Sequence, residues 1–566
     1  MLNKIIVCTF FTGFLFLLNP EAVIPQSDVK ETIIKEKLEY HPIHLNTADR
    51  TILPWYSTDF GKSYDFVIGK VWDFWHTMRN DKNGLPYYMN HQVWFADFND
   101  RRGIGGDQFA MALSSWNLLY AYSGNENMKE EMKFIADYYI THSLSPVDAA
   151  WPNIPFPYNT LIYSGLYDGD MVIGKDFTQP DKAGSFGFEL IKLYKMTSTY
   201  TNTTDKRYLD AAVKIANTLA QHIKDGDENN SPLPFKVNAI TGETGQLIFN
   251  SDGRNYYKLS SYTSNWSGTM ELFLTLIELK AGEVESYQNA FNKLLNWMKN
   301  YPLKTNKWGP FFEDVPGWSD TQINAITFAQ FMMNHQEYFP NWKSEVKVIF
   351  SWVYEKFGNK GWGKYGVIVV NEQTDYQVPG NSHSSRQASA ELQYAILADN
   401  PEFVKNAILQ LNWATYMVDN DGKNTYPKDH EIWMTDGYGD YVRHYLRAMA
   451  IWPKLAPSDQ NHLLSSTSVI QLMEYQPNIN KSLALGLPVV PADKVKNTLI
   501  HYRTFDNKST EIIRMIKKPD IVLVNQIKIS ETDHVELEGW SWKPFEKGGL
   551  LTIRHLNGNT IDVLEN

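Results

Sequence analysis

Pro379-Gly380-Asn381-Ser382-His383-Ser384-Ser385-Arg386 is a short polar run that leads straight into an apolar, helix-patterned stretch. Five other runs repeat the arrangement. They are Gly105-Gly106-Asp107-Gln108, Asp181-Lys182-Ala183-Gly184-Ser185 and Thr263-Ser264-Asn265-Trp266-Ser267-Gly268, then Gly317-Trp318-Ser319-Asp320-Thr321-Gln322 and Thr435-Asp436-Gly437-Tyr438-Gly439-Asp440-Tyr441. Glycine permits a tight turn, and Ser, Asp and Asn are expected to cap the free N–H groups of the helix that follows. Between most of these runs a second amphipathic helix carries the chain back to the starting end. That alternation predicts a toroid of helical hairpins, with all six loops gathered at one end around one cavity.

Working outward, the spacing of apolar residues pairs 107–123 with 126–143, 183–199 with 205–224, and 265–281 with 284–300. It also pairs 321–337 with 342–357, and 384–399 with 401–418. A helix at 63–79 has no preceding partner and one at 436–452 has no following partner, so together they close the ring. The repeats share a pattern and not residues. Long loops at 144–182 and 225–264 read as lids or cleft walls, 80–104 reads as a long loop opened by a turn, and 29–62 reads as an irregular lead-in. Beyond 466 the texture changes. Alternating segments at 498–504, 511–516, 520–524, 535–542 and 549–555 predict a small antiparallel β domain, with turns at Asp506-Asn507, Lys547-Gly548 and Asn557-Gly558. The expected organisation is a signal peptide at 1–27, a mainly α (α/α)6 toroid at 28–465 and a β-sandwich-like domain at 466–566.

Composition narrows the function. The 566-residue chain carries a net charge of −11 and no basic patch long enough to follow a nucleic-acid backbone, which excludes that class of partner. Its 18 Trp and 32 Tyr suit either a ring-filled helical core or a cleft on which sugar rings stack. Lys4 followed by an apolar run at 5–18 reads as a secretory signal, too short to remain in a bilayer. The one cysteine, Cys8, falls inside that run, so the mature chain is expected to have neither disulfide nor thiolate. Export to the periplasm or beyond is expected, with no membrane partner after the signal is removed. No metal or cofactor is expected. Asp419-Asn420-Asp421-Gly422-Lys423-Asn424 starts like a calcium loop, but His430 stands at the twelfth position where glutamate is needed.

An exported helical toroid followed by a β domain resembles the (α/α)6-barrel carbohydrate-active enzymes, which include polysaccharide lyases and unsaturated uronyl hydrolases. The resemblance spans 60–510 and rests on helix number and loop placement. It implies an acidic oligosaccharide as substrate and, for the lyases, catalysis by Asn, His, Tyr and Arg. The Trp-x-Arg-Gly-Asn-Gly-Trp-type segment of unsaturated rhamnogalacturonyl hydrolases is missing; Ser264-Asn265-Trp266-Ser267-Gly268 is the nearest text.

β-Elimination on a uronate requires removal of the C5 proton beside a carboxylate, so that charge must be neutralised. Asn381 and Arg386 are the candidates for that task, and His383 for the base. Tyr438 or Tyr441 is the candidate acid for the leaving oxygen. Asn265 and Trp266 are a candidate sugar platform, and His91, Arg102, Gln108, Asp436 and Trp318 are further candidates for substrate contact. Each group also has a plain structural reading: His383 and Ser384 as a helix cap with Arg386 paired to Glu391, Trp266 as core, and Asp107 as an N-cap. The expected function is a carbon–oxygen lyase acting on uronate-containing oligosaccharides, either an oligosaccharide lyase or a non-reducing-end dehydratase. The alternatives are a glycoside hydrolase pairing Asp320 with Asp436 or Asp440, with Glu313-Asp314 as further acids, and a non-catalytic glycan-binding protein.

Overall fold

The computed structural model describes residues 29–77, 108–156, 176–198, 205–251, 254–311, 318–424, 438–476, 498–533 and 537–565. The apolar periodicity forms helices where it predicts them. They are α1 (Phe60–Thr77), α2 (Gln108–Ser123), α3 (Glu126–His142), α4 (Pro180–Thr197), α5 (Arg207–His222), α6 (Ser267–Leu279) and α7 (Val284–Asn300). After the single turn α8 (Pro302–Thr305) come α9 (Gln322–Asn334), α10 (Trp342–Phe357), α11 (Asn381–Ala398), α12 (Val404–Thr415) and α13 (Tyr438–Ile451).

Burial sorts these helices into two layers. Helix α5 buries one stripe, Tyr208, Ala211, Ala212, Ile215, Ala216 and Leu219, as a helix with one wet face does. Helix α11 buries every residue from Asn381 to Ala395, so it is covered on all sides. Contacts run α2 to α4, α4 to α6, α6 to α9, α9 to α11 and α11 to α13, and α13 packs back on α2. Each member of that series carries an outer partner: α3 on α2, α5 on α4, α7 on α6, α10 on α9, α12 on α11 and α1 on α13. The first and last expected helices therefore do pair.

The expected capping does not occur at the four inner helices whose capping residues are described. The residues preceding α4, α6, α9 and α11 are Gln179, Trp266, Thr321 and Gly380, and none makes a side-chain cap. The polar residues instead lie within or beside the first turn and bond to neighbouring loops. Two of the loop glycines likewise serve packing and not turning. A Cβ on Gly184 would lie 2.0 Å from Thr269 Oγ1, and one on Gly268 would lie 2.3 Å from Ser185 Oγ, so α4 and α6 cross where neither side chain fits.

The lead-in is more regular than expected: β1 (Glu31–Leu38) and β2 (His41–Asn46) form an antiparallel hairpin. The loops between helices hold small ladders, β3 (Phe177–Thr178) with β4 (Val237–Asn238), β5 (Gln246–Ser251) with β6 (Arg254–Leu259), and β7 (Gly358–Asn359) with β8 (Val369–Val370).

The C-terminal part is built from β9 (His462–Ser466), β10 (Ile470–Tyr475), β11 (Thr498–Thr504), β12 (Ser509–Met515), β13 (Ile521–Val524), β14 (Ile527–Ile529), β15 (Gly539–Pro544), β16 (Gly549–His555) and β17 (Thr560–Leu564). One sheet has the order β10-β11-β17-β13-β14 and the other β15-β16-β12-β9. Tyr502 of the first sheet donates to Glu511 of the second at 3.0 Å, and His555 lies 3.2 Å from the same carboxylate. The β domain docks on the C-terminal turns of α2 and α4, where carbonyls lack helical partners. His462 bonds the Tyr122 carbonyl at 3.0 Å, Tyr475 donates to that of Ala121 at 3.1 Å, and Gln471 donates to those of Lys195 and Ser198 at 2.8 and 2.7 Å. Among the described residues no helix is long and apolar enough to cross a membrane. The expected signal segment and Cys8 lie outside the described residues.

Candidate active site in the axial cavity

The polar loops meet one another. Asp181 Oδ2 accepts from Lys182 Nζ and from Asn265 Nδ2, both at 2.8 Å, joining the second and third runs. Lys182 also donates to the Phe311 carbonyl at 2.8 Å, and its ammonium lies 3.5 Å from the Phe311 ring centroid. Ser264 donates to the Trp308 carbonyl at 2.6 Å, while Asn324 Nδ2 reaches the carbonyls of Trp308, Gly309 and Pro310, each at 3.1 Å. The third and fourth runs are thus tied through 308–311. Gln322 Oε1 accepts from Arg386 at 3.1 Å, linking the fourth run to the fifth. Arg386 is ion-paired with Asp440, linking the fifth to the sixth. The first run, at 105–107, and its neighbours His91 and Arg102 lie outside the described residues. Gln108 opens α2.

Asp440 is the hub of the last junction. It receives the guanidinium groups of Arg386 and Arg443, and His444 Nε2 lies 3.0 Å from its Oδ1. Helix spacing accounts for part of this, since 440, 443 and 444 share one face of α13. Sequence reasoning offered Glu391 as the structural partner of Arg386, and that pairing is not formed. Glu391 is bonded instead by Gln387 at 2.8 Å, Tyr354 at 2.5 Å and Gln410 at 3.2 Å. Burial pushes its carboxyl up to about 8, against those three hydrogen bonds.

The candidate residues divide sharply. Asn381, His383 and Arg386 are all buried in the first turns of α11. Burial, then the charge of Arg386, holds His383 well below the usual histidine range. Tyr441 is fully buried and donates to the Ala414 carbonyl at 3.2 Å, with its ring against Tyr445. Burial raises its hydroxyl, so it is a poor proton donor where it stands. Trp266 is no platform: its ring is fully buried and its indole N–H goes to the Thr263 carbonyl at 2.8 Å. Trp318 is half-buried against Tyr262 at 5.1 Å. Asp320, one of the hydrolase candidates, accepts the Trp308 and Gly309 amides at 2.9 and 2.7 Å and so stitches a loop. Asp419 similarly accepts the Asp421 and Lys423 amides of its turn. Tyr438 opens α13; Asp436, His430 and Glu313-Asp314 lie outside the described residues.

A cavity of about 620 Å³ runs along the axis between the inner helices. Lys182, Asn265, Phe311 and Ile323 line it near the loops, and Lys195, Asn334 and Gln393 line it near the opposite helix ends. From Lys182 to Lys195 is about 20 Å at the rise of an α-helix. Residues 463–470 and Asp506 of the β domain also line it. The middle is charged: Arg443, His444 and Arg447 of α13 stand with Glu189 and Lys192 of α4 and Glu271 of α6. Burial, then Arg386, Arg443 and Arg447, hold His444 well below the usual range and therefore neutral. Of the candidates from the sequence, Asn265 lines this cavity. His444 and Arg447 were not among those candidates; their i+4 and i+7 spacing from Asp440, on one face of a helix, was the available signal.

The fold has solved counterparts. The cellobiose 2-epimerase of Spirochaeta thermophila superposes with a TM-score of 0.51 at 12% identity, over 70% of this chain and 97% of that one. The cellobiose 2-epimerase of Bacillus thermoamylovorans gives 0.51 at 14%, over 69% and 99%. A D-mannose isomerase gives 0.50 at 10%, over 71% and 99%. The chain therefore has a fold of the α/α toroid type, with the β domain added at its C-terminal end. No family model and no curated protein matches the sequence.

Proposed function

We propose that this protein is a carbohydrate-active enzyme that binds a small acidic sugar in its axial cavity and removes a proton from the carbon beside the sugar's carboxylate. The observation that carries the reading is the neutral His444 on the cavity wall with Arg443 and Arg447 on the same helix face. A neutral imidazole can accept the C5 proton, and the guanidinium groups stabilise the enolate-like charge that follows. The C5–H electrons become the C4–C5 double bond. The C4–O bond breaks, and its electron pair leaves on oxygen, which takes up a proton. If that oxygen carries another sugar the enzyme is an oligosaccharide lyase; if it is a hydroxyl, water departs and the enzyme is a dehydratase. A cavity of about 620 Å³ suits a ligand of one or two sugar rings. Fold counterparts named for cellobiose and D-mannose support a sugar as that ligand.

Hydrolysis is a second reading, favoured by two carboxylates on the same wall, Glu189 and Glu271. Mass spectrometry of products from a panel of uronate disaccharides separates the outcomes. An unsaturated fragment with its ultraviolet absorbance means lyase, loss of one water without cleavage means dehydratase, and saturated monosaccharides mean hydrolase. Binding without any product would overturn the enzymatic reading.

A further inference from the structure

Arg447 is set apart from three of the other four cations of the cavity; the fourth, Lys195, has its ammonium 5.6 Å from the Phe505 ring centroid. Lys182 is held by Asp181, Lys192 by Glu189 at 2.7 Å, and Arg443 by Asp440 and by Ser114 Oγ at 3.3 Å. Arg447 lies one helical turn deeper than Arg443, about 6 Å along the axis. Among the described residues, no hydrogen bond or ion pair ends on its guanidinium. The acid whose charge it feels is Glu189, which Lys192 already holds. The remaining acids of the wall are engaged as well: Glu271 with His335 at 2.8 Å, and Asp506 with the Ser468 hydroxyl at 2.7 Å.

A guanidinium drawn partly out of bulk water without a partner is costly, and a chain that keeps one on a cavity wall has a use for its charge. Burial, then the like charge of Arg443, push the group below its ordinary range, with Glu189 opposing. An anion arriving from outside relieves both. The flat fork of the guanidinium fits two oxygens of a carboxylate or of a sulfate ester, whereas a neutral hydroxyl fills only part of it.

We propose that Arg447, backed by Arg443, is the anchor for the anionic group of the ligand, deep in the axial cavity and below His444. The proposal rests on the cavity being the ligand site, but not on elimination as the chemistry. It makes Arg447 the residue that selects acidic over neutral sugars, with a carboxylate or a sulfate ester as the group selected.

Calorimetric titration of the whole protein with glucuronate, glucose 6-sulfate and glucose tests it. At least one of the charged sugars is expected to bind about ten-fold or more tightly than glucose. Which one prevails tells a uronate from a sulfated sugar. Arg447→Gln should erase the preference while leaving glucose affinity within about two-fold, and Arg447→Lys should restore part of it. The unliganded Arg447→Gln protein should melt no lower than wild type, because an uncompensated charge has gone; that melting curve also certifies the fold. Equal affinity of the wild type for charged and neutral sugars would overturn the anchor, and so would a charge preference that survives in Arg447→Gln. A charge preference with no product formed would leave the anchor standing and remove the elimination reading. An unsaturated product formed from a uronate that binds no more tightly than glucose would do the reverse.

Discussion

At the scale of single residues, Asp440 decides most. One buried carboxylate balances two guanidinium groups and orients an imidazole. Asp440→Asn leaves those cations buried and unbalanced. We expect a loss of about 3–5 kcal/mol in urea unfolding, as for other broken buried pairs, together with a rise in the acidity of His444 visible by NMR titration. Glu391 offers a different reading of burial. Its carboxyl is pushed up to about 8 from an ordinary 4.5, so folding takes up a proton there between those values. Stability from this site is full below the ordinary value and falls as pH rises toward the folded one. Glu391→Gln, which mimics the protonated carboxyl, should flatten that part of the stability–pH profile and leave the variant the more stable protein at the alkaline end. A variant whose profile follows wild type across the window would refute the assignment.

At the scale of elements, the crossing of α4 and α6 is a close one. Gly184 faces Thr269 and Gly268 faces Ser185, with no room for a methyl group on either glycine. Gly184→Ala should cost about 1–3 kcal/mol by overpacking, although alanine is the better helix former. A calorimetric melting temperature equal to wild type would mean that the helices can part freely. The expectation that loop polar groups cap the inner helices failed for a related reason. Asp181 and Gln322 lie beyond the capping position, inside the first turn, and Arg386 lies in the second, where their side chains reach sideways to the next loop. Helix positions within a turn of each other look alike in a sequence; whether a side chain turns back on its own amides or outward to a neighbour depends on what the ring brings beside it.

At the scale of the whole molecule, the β domain is part of the cavity. Its strands β9 and β10 close on the ends of α2 and α4, and the connection between them lines the axial space. Gln471 and Tyr475 satisfy carbonyls that the helices leave open. Replacing both, as Gln471→Ala with Tyr475→Phe, should loosen the docking without unfolding either part. Hydrogen exchange of the amides in 193–198 and 470–475 should quicken by about ten-fold or more, as expected when local opening becomes easier, while amides of β12 and β16 keep their protection. Uniform protection would mean that the remaining contacts, His462 to the Tyr122 carbonyl among them, hold the domain without these two side chains.

Much of this was legible in the chain. Apolar spacing predicted the helices and their pairing, down to α1 with α13, because burial of one face imposes its period wherever a helix packs. Alternation predicted β11, β12, β13 and β16 for the same reason. Polar loops at the inner-helix entrances announced a convergence of side chains, and Asn265, Arg386 and Asp440 do take part in it. The sequence could not say which polar residues would face space and which would face one another. Trp266 and Tyr441 went to the core, His383 was sealed in the first turn of α11, and Arg447 came to line the cavity. That division depends on how far apart six helices stand around an axis, a distance fixed by side chains from every hairpin at once and written in none of them singly.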